Sequence, residues 1–134
     1  MDKISQQRGM FDGDGALRAS LRGLDWRASP LGPPERWPAA LSAVVRLMLG
    51  ARFPMFVAWG PQLSMLYNDA YATIMGDKHP AGLGQPLGRV WAEIWPVIEP
   101  IACAALAGRA SYFEDLPLTV RRDGHLASAW FTFS

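Results

Sequence analysis

Residues 53–76, FPMFVAWGPQLSMLYNDAYATIMG, constrain the fold more than any other part of the chain. Apolar residues alternate with a period of two on either side of a Gly-Pro pair, which is typical of two antiparallel strands joined by a turn. Asn68 and Asp69 are good N-cap residues for the segment DAYATIM, and Gly76 suits the left-handed position that closes a helix. The stretch therefore predicts a β-hairpin followed directly by a short helix.

A second hairpin is predicted at the other end of the sequence. The segments SYFEDLPLTVR and HLASAWFTFS flank Asp123 and Gly124, a pair that suits a tight hairpin turn. Between the hairpins, residues 90–107 predict a helical stretch with Trp91 and Trp95 one turn apart. Two prolines inside it predict a short helix leading into a second one.

The N-terminal part divides into an arm and a leader. Residues 1–24 carry scattered charge and glycine, and predict a flexible arm with at most a short helix around ALRASLRGL. Residues 25–52 predict a proline-rich leader and an amphipathic helix that ends at Gly50. Residues 53–134 form the predicted core. The order of elements predicts an α+β domain: an antiparallel sheet with its helices on one face, preceded by the amphipathic helix.

Composition excludes several classes of function. The chain has 134 residues, enough for one core, and its 13 basic and 12 acidic residues leave a net charge of +1. Such a balance provides no field to attract nucleic acid or anionic lipid. Cys103 is the single cysteine and predicts a small buried apolar side chain in a reducing compartment. No signal peptide or membrane span is legible, so we expect a cytoplasmic protein.

The combined motifs resemble a known family. The hairpin and capped helix of FPMFVAWGPQLSMLYNDAYATIMG, the leader SPLGPPERWPAAL and the segment YFEDLPLTVRRDGHLASAWFTFS resemble PAS domains, the sensory modules found ahead of many bacterial histidine kinases. The likeness covers roughly residues 25–134. It implies a PAS-like sheet and a role in two-component signal transduction. It also implies an attached output domain, which for this subgroup is a histidine kinase, and a homodimer.

One departure from the family pattern concerns the sheet. PAS domains have five strands, and the last lies at the centre of the sheet beside the first. This sequence ends with the predicted fourth strand, at Ser134. We therefore expect a core truncated before its fifth strand, with unpaired backbone edges on the first and fourth strands.

The sequence contains no recognisable catalytic or metal-binding motif. His79, His125 and Cys103 lack the paired spacing of metal ligands, and both histidines are predicted to be exposed in loops. No nucleophile has a neighbouring base to activate it. Glu114 and Asp115 are adjacent on a strand, which directs them to opposite faces, and Asp115 is as readily outward as inward.

The resemblance also bears on cofactors. Haem-binding PAS domains take an axial histidine from the helix before the third strand, and PVIEPIACAALAG contains none. The Asn-Cys-Arg-Phe motif that attaches flavin in photoreceptor members is absent as well. Haem and covalently attached flavin are therefore not expected, and no other cofactor is identified.

An aromatic set remains as the candidate ligand site. Aromatic side chains with a few polar atoms commonly line sites that hold a small organic molecule, although such side chains also fill cores of this size. The polar tips predicted to matter are Tyr67, Asn68 and Tyr71, at the corner between strand and helix. The candidate pocket residues are Trp59, Tyr67, Asn68, Tyr71, Trp91, Trp95, Phe113 and Trp130.

Three functional hypotheses stay open at this point. The first is a sensory domain that binds a small ligand, or none, and passes a structural shift to its output domain. The second is a ligand-free dimerisation or interaction module whose interface is Trp37, Leu41, Val44 and Met48 on the amphipathic helix. The third, a small enzyme, is the weakest because no convergent acid, base or nucleophile can be named. We expect the domain itself not to be an enzyme.

Overall fold

A computed structural model describes residues 9–134, apart from the side chain of Arg122. Helices and strands are mixed along the chain, as an α+β architecture requires. The strands are β1 (Phe56–Trp59), β2 (Ser64–Tyr67), β3 (Phe113–Arg122) and β4 (His125–Phe133). The α-helices are α1 (Ala16–Arg22), α2 (Ala39–Gly50), α3 (Asp69–Met75), α4 (Leu87–Val90) and α5 (Trp95–Leu106). Short 3₁₀ turns occupy Pro34–Arg36, Gly76–Lys78 and Ala92–Ile94.

The first hairpin, β1–β2, lies where the alternating pattern predicts it. Its antiparallel register places Phe56 opposite Tyr67 and Trp59 opposite Ser64. All four residues of β2 are buried. The free edge of β2 is covered by backbone from the following loop, since the N–H of Met65 donates to the carbonyl of Gln85 at 2.9 Å.

The second hairpin, β3–β4, is longer and forms a sheet of its own. Its register runs from Phe113 opposite Phe133 to the last pair before the turn, with a bulge after Phe113. Asp123 and Gly124 have φ angles of 54° and 81°, which confirms the predicted tight turn.

The predicted single sheet is therefore divided in two. β1 pairs only with β2, and β3 only with β4, among the strands of residues 9–134. No strand in that range pairs with both hairpins, so they form separate sheets.

The N-terminal segment packs on the core, which corrects the predicted flexible arm. Phe11, Leu17 and Leu21 are buried members of the hydrophobic core. The Phe11 ring stacks on Trp26 at 5.4 Å between centroids, and Trp26 meets Trp37 edge to face at 5.2 Å. These ring contacts attach residues 9–24 to the leader, while residues 1–8 of the predicted arm lie outside the described part.

The middle helices also differ in one respect from the prediction. The helical stretch over 90–107 is broken at Trp91, whose φ of −110° and ψ of 43° end α4, and α5 begins at Trp95. Trp91 and Trp95 therefore belong to different helices and do not stand one above the other on a single helix. Pro100 lies inside α5, which continues through it.

Candidate functional site

A hollow of about 430 Å³ lies between the two hairpins and the middle helices. The residues before and at the start of β1 form one wall, and the ends of β3 and β4 form another. Side chains from α3, the 3₁₀ turn at Ala92–Ile94 and α5 close the remaining side. The apolar side chains of the hollow are Phe53, Met55, Phe56, Tyr71, Ile74, Trp91, Ile94, Ile98, Leu118, Val120, Phe131 and Phe133.

Local structure positions the aromatic part of this lining. Asn68 caps α3 by accepting a hydrogen bond from the N–H of Tyr71 at 3.0 Å, which fixes where the first turn of α3 begins. Tyr71 then lies 5.3 Å from Phe56 across the corner and 5.8 Å from Tyr67, measured between ring centroids. The cap therefore sets the position of one ring that faces the hollow.

Tyr71 and Trp91 supply polar atoms to a lining that is mostly apolar and also includes Thr132 and Ser134. Burial raises the pKa of the Tyr71 hydroxyl to about 12, so the group is protonated at neutral pH. The indole N–H of Trp91 approaches that hydroxyl and opposes the shift, but it does not reach hydrogen-bond geometry. Trp91 Nε1 is buried and has no hydrogen-bond partner among the described residues. A buried donor of this kind is stabilised when an acceptor reaches it.

Tyr67 and Asn68, the other two predicted polar tips, serve the core instead of the hollow. The hydroxyl of Tyr67 shares a hydrogen bond of 2.9 Å with Nδ1 of His79. Burial, with the neighbouring Tyr71, raises the pKa of Tyr67 well above its ordinary range. His79 is therefore partly buried and bonded, which corrects the prediction of an exposed loop histidine.

Asn68 ties four segments of the chain together. Its Nδ2 donates to the carbonyls of Met48 at 3.1 Å, Ala51 at 3.3 Å and Phe53 at 2.7 Å. Its Oδ1 accepts from the N–H of Met55 at 3.1 Å as well as from the cap position of α3. The side chain is buried, and all of its hydrogen-bonding capacity is used within the fold. Asn68 is therefore a structural residue and leaves no polar atom for a ligand.

The predicted aromatic pocket is only partly assembled. Tyr71 and Trp91 meet in the hollow, whereas Trp59 lies beside the N-terminal leader. Trp95 packs over Gly88, and Phe113 stacks near Phe133 at 5.4 Å without lining the hollow itself. Trp130 is 66% exposed on the outer face of β4, which corrects its placement in the pocket. Trp130 is four residues from the exposed Leu126, and strand residues at an even spacing face the same side of the sheet.

The four residues predicted as a dimer interface also have a different environment. Trp37, Leu41 and Met48 are buried in the chain's own core, and Val44 is half-buried against it. α2 covers the first hairpin with this stripe. The stripe therefore presents no free surface to a second copy, and dimerisation through another surface stays a prediction.

Sequence reasoning missed the aliphatic part of the hollow. Ile94, Ile98, Leu118 and Val120 line it, but their types and spacing are those of ordinary core residues. Phe131 also lines it, from the inward-facing side of β4. In the sequence, Leu118 and Val120 are two residues apart, as are Phe131 and Phe133. This spacing indicates the inward face of the second hairpin, and it was the one available signal for these lining residues.

The reactive side chains Cys103, Asp115 and His125 lie on separate elements of the described chain. Cys103 is exposed on α5, which corrects its predicted burial, and it does not line the hollow. Asp115 is exposed in the β-bulge with a φ of 49°, so it is outward, and His125 is exposed as predicted. Within the described part of the chain, no three His, Cys, Asp or Glu side chains lie close enough together to hold a metal ion.

Carboxylates anchor the second hairpin to the 3₁₀ turns. Glu93 Oε2 accepts the backbone N–H of Arg121 at 2.8 Å and lies 3.1 Å from Nζ of Lys78. Asp77 Oδ1 accepts the backbone N–H of Asp123 at 3.0 Å. These contacts hold the hairpin next to its turn, and Val120, which lines the hollow, directly precedes Arg121.

Comparisons of the chain with protein-family models, with curated proteins and with solved structures found no match. In residues 9–134, no helix has the length and apolar character needed to span a bilayer.

Proposed function

We propose that this chain is a PAS-like sensory domain of a cytoplasmic signalling protein, and that it binds a small, largely apolar ligand in the hollow. The observation that carries the proposal is the hollow itself: about 430 Å³, walled by aromatic and aliphatic side chains, with the unpartnered N–H of Trp91 facing a protonated Tyr71. Cavities of this size and lining hold small organic molecules. The ligand class that fits is a flat, apolar molecule with one hydrogen-bond acceptor.

The position of the hollow supports a signalling role. Its walls come from two separate sheets, so a ligand that contacts Phe56 on β1 and Phe131 on β4 would change how the hairpins sit relative to each other. Such a ligand biases an attached output domain only through different affinity for two conformations. The resemblance to bacterial sensor proteins favours a histidine kinase as that output, in a homodimer.

The test of ligand binding uses native mass spectrometry of the purified chain, which records a retained small molecule as a mass excess released on denaturation. Ile98→Trp fills the hollow, because Ile98 lines it from α5. Val97→Trp is the matched control, since Val97 precedes it on the same helix and is exposed. We expect the mass excess in the unmodified chain and in Val97→Trp. In Ile98→Trp we expect the fraction of chains that carry the small molecule to fall about tenfold or more.

Two outcomes of this experiment contradict the proposal. One is a chain that carries no small molecule, either as purified or after incubation with a mixture of flat apolar acceptors. The other is an Ile98→Trp variant that folds and retains the ligand as well as the control does.

A second candidate function, a ligand-free interaction module, is favoured by one observation. Leu126 and Trp130 are 58% and 66% exposed and share the outer face of β4. Light scattering of the chain and of Trp130→Ser distinguishes this candidate. A dimer that Trp130→Ser dissociates supports it, and a monomer at all concentrations contradicts self-association through this face.

A further inference from the structure

A second cavity lies on the opposite face of the first hairpin from the hollow. It has a volume of about 180 Å³ and lies between the leader, the first turn of α2 and the turn of the hairpin. Trp59 borders it, whereas Phe56 borders the hollow, and residues at an odd spacing on a strand face opposite sides. We call it the leader cavity. Its apolar walls are Pro30, Leu31, Pro38, Leu41, Trp59 and Pro61.

Ser64, whose hydroxyl is buried and has no hydrogen-bond partner among the described residues, is one of the residues that line the leader cavity. Ser64 is opposite Trp59 in the hairpin, so both side chains lie on the same face. The residue is 1% exposed, and its Oγ has no hydrogen-bond partner among the described residues. Leaving a buried hydroxyl unpaired destabilises the folded chain. An acceptor atom in the leader cavity would remove that cost.

The start of α2 supplies a second group of unpaired donors at the same place. α2 is a helix of 12 residues whose N-cap is Pro38, with no side-chain cap and no acidic residue in its first turn. The first backbone N–H groups of a helix have no partner within it, and together they carry a partial positive charge. Pro38, the N-cap, and Leu41, the third residue of the helix, both line the leader cavity, so Leu41 is the residue that brings one of these N–H groups to it.

From these observations we propose that the leader cavity binds a small aromatic carboxylate. The carboxylate accepts the Ser64 hydroxyl and lies at the N-terminus of α2, and the ring packs against Trp59 and the prolines. A cavity of about 150 Å³ accepts benzene, so one of 180 Å³ has room for a single substituted ring. Among residues 9–134, no acidic side chain lines the cavity to repel the charge. The proposal does not rest on the proposed function, because the two cavities share no lining residue.

The experiment titrates the chain with benzoate and, separately, with benzyl alcohol, a neutral molecule of the same shape. Binding is followed by calorimetry and by amide chemical shifts of residues 39–41 and 64. We expect benzoate to bind with a Kd at least about tenfold below that of benzyl alcohol, with the shift changes concentrated at these residues.

Variants identify the groups responsible. Ser64→Ala removes the hydroxyl, and we expect it to raise the Kd for benzoate about tenfold. Ala40→Asp adds a carboxylate to the first turn of α2 at an exposed position, which favours the helix but repels an anion, and we expect a similar rise. Ala43→Asp, exposed on the same helix beyond its first turn, is the matched control and leaves the Kd within about threefold.

Three results overturn the proposal. The first is no saturable benzoate binding at concentrations of about 1 mM. The second is binding that Ser64→Ala and Ala40→Asp both leave unchanged, or benzyl alcohol that binds as tightly as benzoate. The third is binding that is weakened by Tyr71→Phe in the hollow but not by the changes at Ser64 and Ala40.

Discussion

The two hairpins of this chain differ in how they are stabilised. β1–β2 has only four residues in each strand, yet every residue of β2 is buried between the leader and α2 on one face and the middle helices on the other. β3–β4 has strands of ten and nine residues, and most of β4 is exposed. The short hairpin is therefore largely buried, whereas the long one meets the core through Leu118 and Val120 and leaves its outer face exposed. Strand length is a poor guide to which sheet carries the core.

Residue types explain this difference. In β2 the residues directed to either face are apolar or small, which suits a strand covered on both sides. In the second hairpin Leu118 and Val120 face inward, while Thr119 and Ser128 pair on the outer face. That face is covered by no other described element. We therefore expect substitutions in the first hairpin to affect the whole fold, and most substitutions on the outer face of the second to act locally.

The largest effect is expected from Asn68→Ala, at the end of the first hairpin. It removes the cap of α3 and leaves several buried backbone groups without partners, which we expect to lower the free energy of unfolding by about 3–5 kcal/mol. Urea unfolding followed by tryptophan fluorescence measures the change. Asn68→Ser keeps a cap but not the contacts to the carbonyls, so an intermediate loss is expected. A loss below about 1 kcal/mol for Asn68→Ala contradicts the assignment.

Truncation of a methionine in the first hairpin tests burial directly. Met65→Ala, at a fully buried position of β2, is expected to lower the free energy of unfolding by about 2–4 kcal/mol through lost burial and a cavity. Leu126→Ala, at an exposed position of β4, is the control and is expected to change it by about 0.5 kcal/mol or less. Equal losses in the free energy of unfolding for the two variants, in the same urea titration, would contradict the difference in burial between the two hairpins.

A smaller, pH-dependent effect is expected where the second hairpin is anchored. Burial alone would raise the pKa of Glu93, but the N–H of Arg121 and the Lys78 ammonium outweigh it and hold the pKa below the ordinary value of 4.5. The ionised carboxylate is therefore favoured by folding. Its stabilisation is complete above pH 4.5 and is lost as the pH falls through the lower pKa of the folded chain.

The variant Glu93→Gln isolates that contribution. We expect it to lower stability by about 1 kcal/mol at neutral pH, because a partly screened ion pair and one charged hydrogen bond are weakened. Below pH 4.5 the difference from the unmodified chain is expected to shrink. Thermal unfolding of both chains across pH 3–7 checks this, and a difference that stays constant with pH contradicts the role of the charge.

Local signals in the sequence predicted local structure. The hairpin around Gly60, the cap at Asn68 and the Asp123–Gly124 turn are confirmed, because each depends on residues close together in the chain, whereas β2 is buried at every position and shows no alternation. Gly76 ends α3 with a positive φ of 58°, but its ψ of −128° lies outside the predicted left-handed region.

Long-range packing was not predictable in the same way. The burial of His79 depends on Tyr67, and the exposure of Cys103 depends on which face of α5 meets the core. The separation of the hairpins depends on which strand edges meet, a property that no single segment encodes. The aliphatic half of the hollow was missed because Ile98 and its neighbours have the composition of a filled core.

The exposed thiol on α5 gives this chain a built-in attachment point. Cys103 is the single cysteine in the sequence, so a spin label or fluorophore added through a maleimide would occupy one defined site without prior mutagenesis. It follows Ile98 by five residues on the same helix, which places it well around the helix from the side chain that borders the hollow. A second label introduced at an exposed position of β4 would then report the distance between α5 and the long hairpin. Movement of these two parts becomes measurable in solution as a change in that distance.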